Sequence, residues 1–286
     1  MKIKLIILFL VAFLFRIALI PIAHHGDLNN NISWGEELLD RGVVGFYGSD
    51  KAEDWPYSAP NQPPLYIYLF GGVVQTYRSV DSVTRFLNES VGIFPSSFVW
   101  YWEESGMDLM AKLPGIFADL GIGYLIYKYF AQKKKKKLAV TLSLVWLFNP
   151  LTWYNSSIWG QTDPIVNFIG LLAILGLLGE LKLARRVGEL VWFFFWFTVA
   201  YLFKPSLTVF IPVLALYILV KKYPIKEYLK SALVAFVTII VVSVWFNPYI
   251  NFISWFIDLY LNRILPGEIG YLTANAFNLW WLVDSE

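Results

Sequence analysis

The sequence predicts an all-α, polytopic membrane protein, and three observations support this fold class. Hydrophobic residues make up 57% of the 286 residues and charged residues only 15%, whereas soluble domains carry about 25% charged residues. Aromatic residues reach 19%, which is typical of chains with many segment ends at a membrane interface. Apolar runs of roughly 20 residues, the length of a membrane-spanning helix, recur along the chain. The absence of cysteine excludes disulfides and thiolate metal sites.

Seven apolar segments are counted as spans. They are residues 3–22, 109–130, 138–154, 165–181, 187–203, 206–220 and 229–249. The first is interpreted as a retained anchor, because its apolar run is long and no small-residue cleavage pattern follows it. Lysine and arginine are concentrated after the second, fourth and sixth segments. By the positive-inside rule these loops and the N-terminus are cytoplasmic, and we expect a multi-pass protein of the cell membrane.

The chain is predicted to form a single domain, residues 1–286, with a long first outer loop. The first span, residues 1–22, is followed by residues 23–108, which carry twelve Asp or Glu against four Lys or Arg. Such a loop is too long to be a simple connection. Residues 109–249 then form a six-span bundle. Residues 250–286 are expected to hold a surface helix and the start of a further span.

Shorter apolar segments are predicted to lie on the outer membrane surface. Residues 63–77 are short and begin with two prolines, and in residues 250–265 Asp258 and Arg263 interrupt an aromatic-rich face, so both segments are interpreted as amphipathic surface helices. Residues 31–39 have helical periodicity. Residues 277–283, FNLWWLV, resemble the start of an eighth span that does not finish, so the sequence is expected to be truncated.

Asp27 follows the first span directly and precedes the predicted helix. A carboxylate held at the membrane surface beside amides is a candidate catalytic group. It is equally a candidate helix cap, a position that Asp favours. The two interpretations remain open at this point. His24 and His25 are adjacent, which is poor geometry for one metal ion, and no zinc-type spacing occurs, so no metal site is predicted.

The segment NPLTWYNSSIWGQTDP, residues 149–164, places polar side chains between two apolar spans. Asn155, Trp159, Gln161 and Asp163 bring amides, an indole ring and a carboxylate together. Sugars suit such a group, because an aromatic ring packs on the apolar face of the sugar while its hydroxyls bond to carboxylates and amides. A polar interfacial turn is the plainer interpretation, but it does not explain the density of polar groups.

Charged groups within or beside spans are functional candidates because they are costly in a bilayer. Lys204 precedes a proline at the outer end of the fifth span and is suited to bind a lipid phosphate, although it could equally extend to the interface. Lys112 lies near the outer end of the second span and can extend to the interface there. Lys112 and Arg263 are candidate helpers of Lys204. Asp119 lies near the middle of its span, where pairing with a polar group of another helix is the alternative to a functional role.

Several motifs resemble known membrane glycosyltransferases. NPLTWYNSSIWGQTDPI, followed by FKPS, resembles prokaryotic mannosyltransferases related to the second mannosyltransferase of GPI-anchor synthesis, although their usual Lys-Pro-Gln has serine at Ser206 here. TANAFNLW is also similar to that group. PPLYIYLF and KLPGIFADLGIGYLIY are similar to dolichyl-phosphate-glucose-dependent glucosyltransferases. The matches follow a consistent order over most of the chain.

The resemblance implies a GT-C architecture and a polyprenyl-phosphate-sugar-dependent, inverting hexosyltransferase, most simply a mannosyltransferase. Asp27 would be the general base. Trp159, Gln161 and Asp163 would bind the donor sugar, with Asn155 and Asp119 in supporting positions. Lys204, Lys112 and Arg263 would bind the lipid phosphate.

The partners implied by the resemblance are a polyprenyl-phosphate-sugar donor, a glycan or glycolipid acceptor and membrane lipid, without nucleic acid. Some members of the group use a divalent cation, Mg²⁺ or Mn²⁺, and others use none, so the metal requirement is open. The main alternative is a transporter or flippase of lipid-linked saccharides. An O-antigen ligase or polymerase would carry its large loop later in the chain, and a non-enzymatic membrane subunit would leave Asp27 without a role.

Overall fold

The computed structural model describes residues 2–265 of the chain, and the secondary-structure elements of this part are all helices or helical turns. The helices are α1 (Lys2–Leu19), α2 (Gly26–Arg41), α3 (Pro64–Val91), α4 (Ser96–Gln132), α5 (Lys136–Phe148), α6 (Pro150–Trp153), α7 (Asp163–Leu177), α8 (Lys182–Val187), α9 (Glu189–Phe203), α10 (Ile211–Lys221), α11 (Ile225–Ser243) and α12 (Phe252–Leu259). Short 3₁₀ or π-helical turns join several of them. The all-α membrane fold class is therefore confirmed.

Each of the seven predicted spans coincides with a helix. Among the described residues, three helical segments are long and apolar enough to cross a membrane on their own: Ile3–Ile22, Ser96–Gln132 and Ile225–Phe246. The other predicted spans correspond to shorter helices, of which Asp163–Leu177 and Glu189–Phe203 are strongly apolar. Hydropathy locates these helices well because lipid-facing helices must satisfy their backbone internally and expose apolar side chains.

Helix α4 is the central helix of the bundle. It has 37 residues, which corresponds to roughly 55 Å at 1.5 Å per residue and exceeds the bilayer core of about 30 Å. Half of its most apolar window is buried inside the protein, against 17% for α1 and for α11. Its N-terminal part therefore extends beyond the spanning segment, within the predicted outer loop.

The predicted outer loop is a folded layer of helices. Helix α2 packs on α3 so closely that a Cβ on Gly35 would lie 2.5 Å from the carbonyl oxygen of Phe70. The segment between them is fixed by Trp34, whose indole donates to the Ser58 carbonyl at 2.7 Å, and by Tyr47, whose hydroxyl donates to the Gln62 carbonyl at 2.6 Å. This layer contributes much of the largest hydrophobic core, which also includes residues of α7 and α9.

Both segments predicted as surface helices are helical, and their position on a membrane surface stays a prediction. Residues 63–77 lie in α3, which is longer than expected and ends at Val91. Tyr66, Ile67 and Phe70 on its first turns are buried in the protein core. The apolar face of α3 thus packs inside the protein, where α2 covers it. Residues 277–283 lie outside the described residues.

Candidate functional site at one end of the bundle

The polar segment between α5 and α7 forms a compact turn. Asn149 caps α6, its side-chain oxygen accepting a hydrogen bond from the Leu151 amide at 2.9 Å. A π-helical turn, Tyr154–Trp159, follows. The carbonyl of Asn155 then accepts hydrogen bonds from the amides of both Gly160 and Gln161, each at 3.0 Å. Such π-helical turns occur frequently at functional sites, and this one directs Trp159 and Gln161 toward α2.

Asp27 lies beside this turn. His25 caps α2, since its Nδ1 accepts a hydrogen bond from the Asp27 amide at 3.2 Å. Asp27 is therefore not the cap, and its carboxylate has other partners. Trp159 Nε1 donates to it at 3.1 Å and Gln161 Nε2 at 2.5 Å. The Asp27 side chain remains half-exposed, so the carboxylate is oriented by neighbours and still accessible from outside.

Lys204 and Asp163 form an ion pair at the same end of the bundle. Asp163 begins α7, and Lys204 follows the last residue of α9 in extended conformation before Pro205. Lys204 Nζ lies 2.7 Å from Asp163 Oδ1, and the side chains are 29% and 36% exposed respectively. The ammonium is thus held in place by one carboxylate while part of its surface stays open to a ligand.

Tyr66, near the start of α3, packs beside Phe203, the residue before Lys204, with ring centres 5.5 Å apart. Its hydroxyl donates to Asn31 Oδ1 at 2.7 Å. Burial raises the pKa of Tyr66, and the negative charges of Asp163 and Asp27 raise that pKa further. The phenol therefore stays protonated and keeps its hydrogen bond to Asn31. Tyr66 thus contacts the helix that carries Asp27 and the residue before Lys204, and Gln161, which donates to Asp27, is separated from Asp163 by a single residue. These six residues form one site, which we call the headgroup site after its predicted depth beside the lipid headgroups (Asp27, Tyr66, Trp159, Gln161, Asp163 and Lys204).

Lys112 lies beneath this site and has a different environment from the one predicted. Its side chain is fully buried, and Nζ donates to the carbonyls of Ile20 at 3.0 Å and Ala23 at 2.7 Å. These carbonyls lie at and just beyond the C-terminal end of the first span, where backbone acceptors lack intrahelical partners. Lys112 therefore closes the end of this span instead of extending to the surface, and Asp108, at 3.9 Å, pairs with its charge.

His24 contributes a second polar link at the end of the first span. Its Nδ1 lies 2.9 Å from both carboxylate oxygens of Asp108, and its Nε2 lies 2.7 Å from Asn29 Oδ1. Burial lowers the pKa of His24, but the hydrogen bonds to Asp108 and Asn29 and the charge of Asp108 outweigh it and raise the pKa. His24 thus helps to fix the start of α2 against α4.

Arg16 is the functional-looking residue that sequence analysis missed. It is fully buried in α1, donates to the Leu147 carbonyl at 2.6 Å and lies 3.7 Å from Asp119 Oδ2. Asp119 is therefore paired with a charged group of another helix, as one of its two interpretations had it. An arginine within an apolar span is itself a signal for a buried partner, and that signal was available.

The two remaining predicted residues, Asn155 and Arg263, make hydrogen bonds that involve backbone groups. Asn155 contributes its carbonyl to the turn described above. Arg263 donates to the carbonyls of Tyr47, at 2.9 Å, and Ser49, so it joins the π-helical turn Tyr260–Ile264 to the loop between α2 and α3. Within residues 2–265, no group of three or more His, Cys, Asp or Glu side chains is arranged to hold a metal ion.

Comparison with known families identifies the relationship of the chain. The family model described as GPI transamidase subunit PIG-U matches residues 55–283, more than three quarters of the sequence. The chain belongs to the PIG-U family. Tyr66, Trp159, Gln161, Asp163 and Lys204 lie within the matched region, whereas Asp27 precedes it. No curated protein and no solved structure matches the chain.

Membership in the PIG-U family corrects the predicted activity. The expected polyprenyl-phosphate-sugar-dependent hexosyltransferase is wrong, and so is the alternative of a transporter or flippase, because the family is that of a transamidase subunit. The assignment of Asp27 as the general base of sugar transfer falls with that activity. The predicted polyprenyl-phosphate-sugar donor and its acceptor are likewise wrong as partners.

Part of the resemblance survives in coarser form. The motifs around Trp159 and Lys204 indicated membrane proteins of GPI-anchor metabolism, and the PIG-U match supports that level of relationship, while the GT-C mannosyltransferase assignment is not confirmed. The error has a physical origin. Aromatic, amide and carboxylate groups beside a cation describe what a site can bind, and a site that holds a glycolipid needs the same groups as one that transfers its sugar.

Proposed function

We propose that this chain is a membrane subunit of a GPI transamidase complex and that its headgroup site binds the phosphate-bearing glycan headgroup of a glycosylphosphatidylinositol lipid. The observation that carries the proposal is the meeting of Lys204, Asp163, Asp27 and the Trp159–Gln161 turn at one end of the bundle, in a PIG-U family chain. A transamidase attaches a protein to this lipid, so one subunit must present the headgroup.

The side chains of the site are suited to different parts of the lipid headgroup. Lys204 is a compact point charge suited to a phosphate oxygen, and Asp163 keeps it oriented when no phosphate is present. The Asp27 carboxylate and Gln161 amide offer acceptors and donors for sugar hydroxyls. Trp159 supplies an aromatic surface next to them. The lipid chains would then lie along the apolar helices below, in the membrane.

The site is proposed to hold the lipid, with the chemical step supplied by another subunit. Acyl transfer to an amine commonly uses a side-chain nucleophile activated by an adjacent base. The chain has no cysteine. His24 contacts Asp108 and Asn29, and His25 contacts Asp27 and Trp159, so neither histidine is paired with a hydroxyl nucleophile in the described part of the chain. This arrangement supports binding and leaves the described site without the parts of an acyl-transfer centre.

We also propose an orientation for the site. The lysine-rich loops are placed on the cytoplasmic side by the positive-inside rule, so the headgroup site would face the opposite side of the membrane, and the N-terminus would be cytoplasmic. The helices support a membrane location without specifying the cell membrane. The proposal also leaves the need for a divalent cation, Mg²⁺ or Mn²⁺, open.

Binding of the lipid tests the proposal directly. The purified protein in nanodiscs should bind a glucosaminyl-phosphatidylinositol more tightly than phosphatidylcholine, as measured by native mass spectrometry. Lys204→Met should weaken this binding by about tenfold, the loss of one charge-assisted contact. The matched control is Lys182→Met, since Lys182 is an exposed lysine outside the headgroup site. Equal binding by the Lys204 and Lys182 variants would show that the phosphate is held elsewhere.

The role in a complex has its own test. Deleting the gene in its host should abolish attachment of proteins to the lipid while the complete lipid accumulates, because its consumption stops. A lipid-synthesis enzyme would give the opposite result, loss of the complete lipid. Depletion of the lipid in the deletion strain would contradict the transamidase assignment.

A further inference from the structure

A cavity of about 290 Å³ lies between the loop that follows α2 and the helix pair at the end of the described chain. It is separate from the side chains of the headgroup site. The lining residues that matter here are Tyr47, Asp50, Trp255, Asp258, Asn262 and Arg263. Its volume is at the lower end of the range of roughly 300 to 1,000 Å³ usual for small-molecule sites, which suits a single small ring.

The walls of this cavity are fixed relative to each other. Arg263 donates to the carbonyls of Tyr47 and Ser49, and its guanidinium lies 5.8 Å from the centre of the Tyr47 ring. The Tyr47 ring in turn packs 6.1 Å from Trp255. A binding site whose walls are held before the ligand arrives loses less entropy on binding. Arg263 is thus a positioning residue for both walls.

The two carboxylates of the cavity, Asp50 and Asp258, can accept further hydrogen bonds. Asn262 donates to Asp258 Oδ1 at 2.6 Å, and the Asp258 side chain is otherwise exposed. Within residues 2–265, the Asp50 carboxylate makes no hydrogen bond or ion pair. Two carboxylates against one guanidinium give the lining a net negative charge. This favours a ligand rich in hydroxyl or amine donors and disfavours an anion.

We infer that this cavity binds one sugar ring, neutral or amine-bearing, through its hydroxyls. Trp255 would contact the apolar face of the ring, Asp50 and Asp258 would accept hydrogen bonds from hydroxyls, and the Asn262 amide would supply the complementary donor. Charge distinguishes the cavity from the headgroup site, where Lys204 is suited to phosphate. The chemistry of the cavity therefore suits the sugar of a phosphorylated glycan, and that of the headgroup site suits its phosphate.

The position of the cavity places that sugar near the headgroup site. Tyr260, next to Leu259 of the lining, stacks on Tyr201 with ring centres 5.0 Å apart and donates to the Tyr201 carbonyl at 3.3 Å. Tyr201 lies three residues before Lys204 on α9. Only the conclusion that both sites hold one glycolipid rests on the proposed function. Sugar binding in the cavity stands on its own geometry.

Binding of free monosaccharides tests the inference. The purified full chain in detergent should bind methyl glucoside and glucosamine, measured by saturation-transfer NMR and titration calorimetry, and should bind glucose 6-phosphate more weakly. Asp258→Asn should reduce sugar affinity by about tenfold or more, because a charged hydrogen-bond acceptor is lost. Trp255→Phe keeps an aromatic ring in the packing and should still weaken binding by reducing the contact surface.

Matched controls separate the cavity from the rest of the chain. Glu53→Gln removes an exposed carboxylate of the same loop that does not line the cavity, and Trp245→Phe alters an exposed tryptophan elsewhere; both should bind sugar like wild type. Absence of binding by the wild-type chain, unchanged binding by Asp258→Asn, or preference for glucose 6-phosphate would overturn the inference. Lys204→Met should leave monosaccharide binding intact, so failure of the headgroup-site proposal is seen separately.

Discussion

Within residues 2–265, Arg16 and Asp119 form an ion pair between two almost completely buried side chains of the apolar helices. Arg16 is fully buried and Asp119 is nearly so. Their side chains lie 3.7 Å apart, and Arg16 also donates to the Leu147 carbonyl at 2.6 Å. Enclosed charges carry a desolvation cost that a partner offsets, and removing one partner leaves the other uncompensated. The pair therefore fixes how α1 meets α4 and the end of α5.

A double-mutant cycle on this pair is the prediction at the residue scale. Arg16→Leu should destabilise the protein by roughly 3–5 kcal/mol, because Asp119 keeps a buried charge without its cation. Arg16→Leu combined with Asp119→Leu should restore most of that loss. Thermal unfolding of the purified protein in detergent measures both effects.

The control for the cycle is Arg186→Leu, which removes an exposed arginine of α8 and should leave unfolding unchanged. Strictly additive losses in the double variant would show that the two side chains do not interact.

The sequence identified Asp119 but neither its partner nor the importance of Arg16. Both residues lie in apolar spans, where charge is costly, so each could be recognised as unusual. Their pairing could not be predicted, because it depends on how α1 and α4 are rotated against each other. Lys112 illustrates the same limit. Its position suggested extension to the interface, whereas the carbonyls of Ile20 and Ala23 bind it inside the protein.

The turn between α5 and α7 is the element that assembles the headgroup site. Gly160 follows its π-helical segment with a φ of +83°. A Cβ at this position would lie 3.0 Å from Leu28 Cδ2 and 3.1 Å from Lys112 Cγ. Glycine is thus required here both by the backbone conformation and by the close packing beneath it. Because Gly160 stands between Trp159 and Gln161, its conformation determines whether both reach Asp27.

Gly160→Ala is the prediction at the element scale. The left-handed conformation costs a residue with a Cβ roughly 1–2 kcal/mol, and the contacts with Leu28 and Lys112 add to that cost. The variant should unfold at a lower temperature and bind the glycolipid less tightly, measured by thermal unfolding and native mass spectrometry. A variant that matches wild type in both measurements would show that the turn tolerates a side chain.

The matched control is Gly72→Ala on α3. A Cβ there meets nothing within 4 Å, and the residue lies on the exposed side of a helix. Replacing such a helical glycine should stabilise the protein by about 0.5–1 kcal/mol. The two variants make the same chemical change, so a difference between them reports on backbone conformation and packing alone.

At the scale of the whole molecule, two further groups of polar contacts between helices lie at opposite ends of the bundle, in addition to the enclosed Arg16–Asp119 pair. One end holds the headgroup site, where α2, α7 and α9 meet. The other holds the ion pairs Lys133–Glu180, at 3.0 Å, and Lys221–Glu189, at 2.5 Å. The alternation of apolar spans and basic loops along the sequence predicted which residues share an end of the bundle, because each crossing takes the chain to the opposite end. The activity could not be predicted from this pattern, because it depends on which groups a bound ligand contacts in a complex.

Cysteine labelling tests this two-ended arrangement. The sequence has no cysteine, so a label reports on the introduced residue alone. Lys135→Cys lies in the basic loop before α5, and Glu53→Cys lies in the loop between α2 and α3; both positions are exposed. An odd number of crossings separates them if the predicted spans are right. A membrane-impermeant maleimide added to sealed, right-side-out vesicles should therefore label Glu53→Cys, and label Lys135→Cys only after the membrane is opened.

Gly72→Cys, on the exposed side of α3, should label with Glu53→Cys, because α3 belongs to the folded outer layer. Labelling of positions 53 and 135 from one side would mean an even number of crossings between them. In that case α3 would itself be a span, and the orientation of the headgroup site would have to be reversed relative to the basic loops.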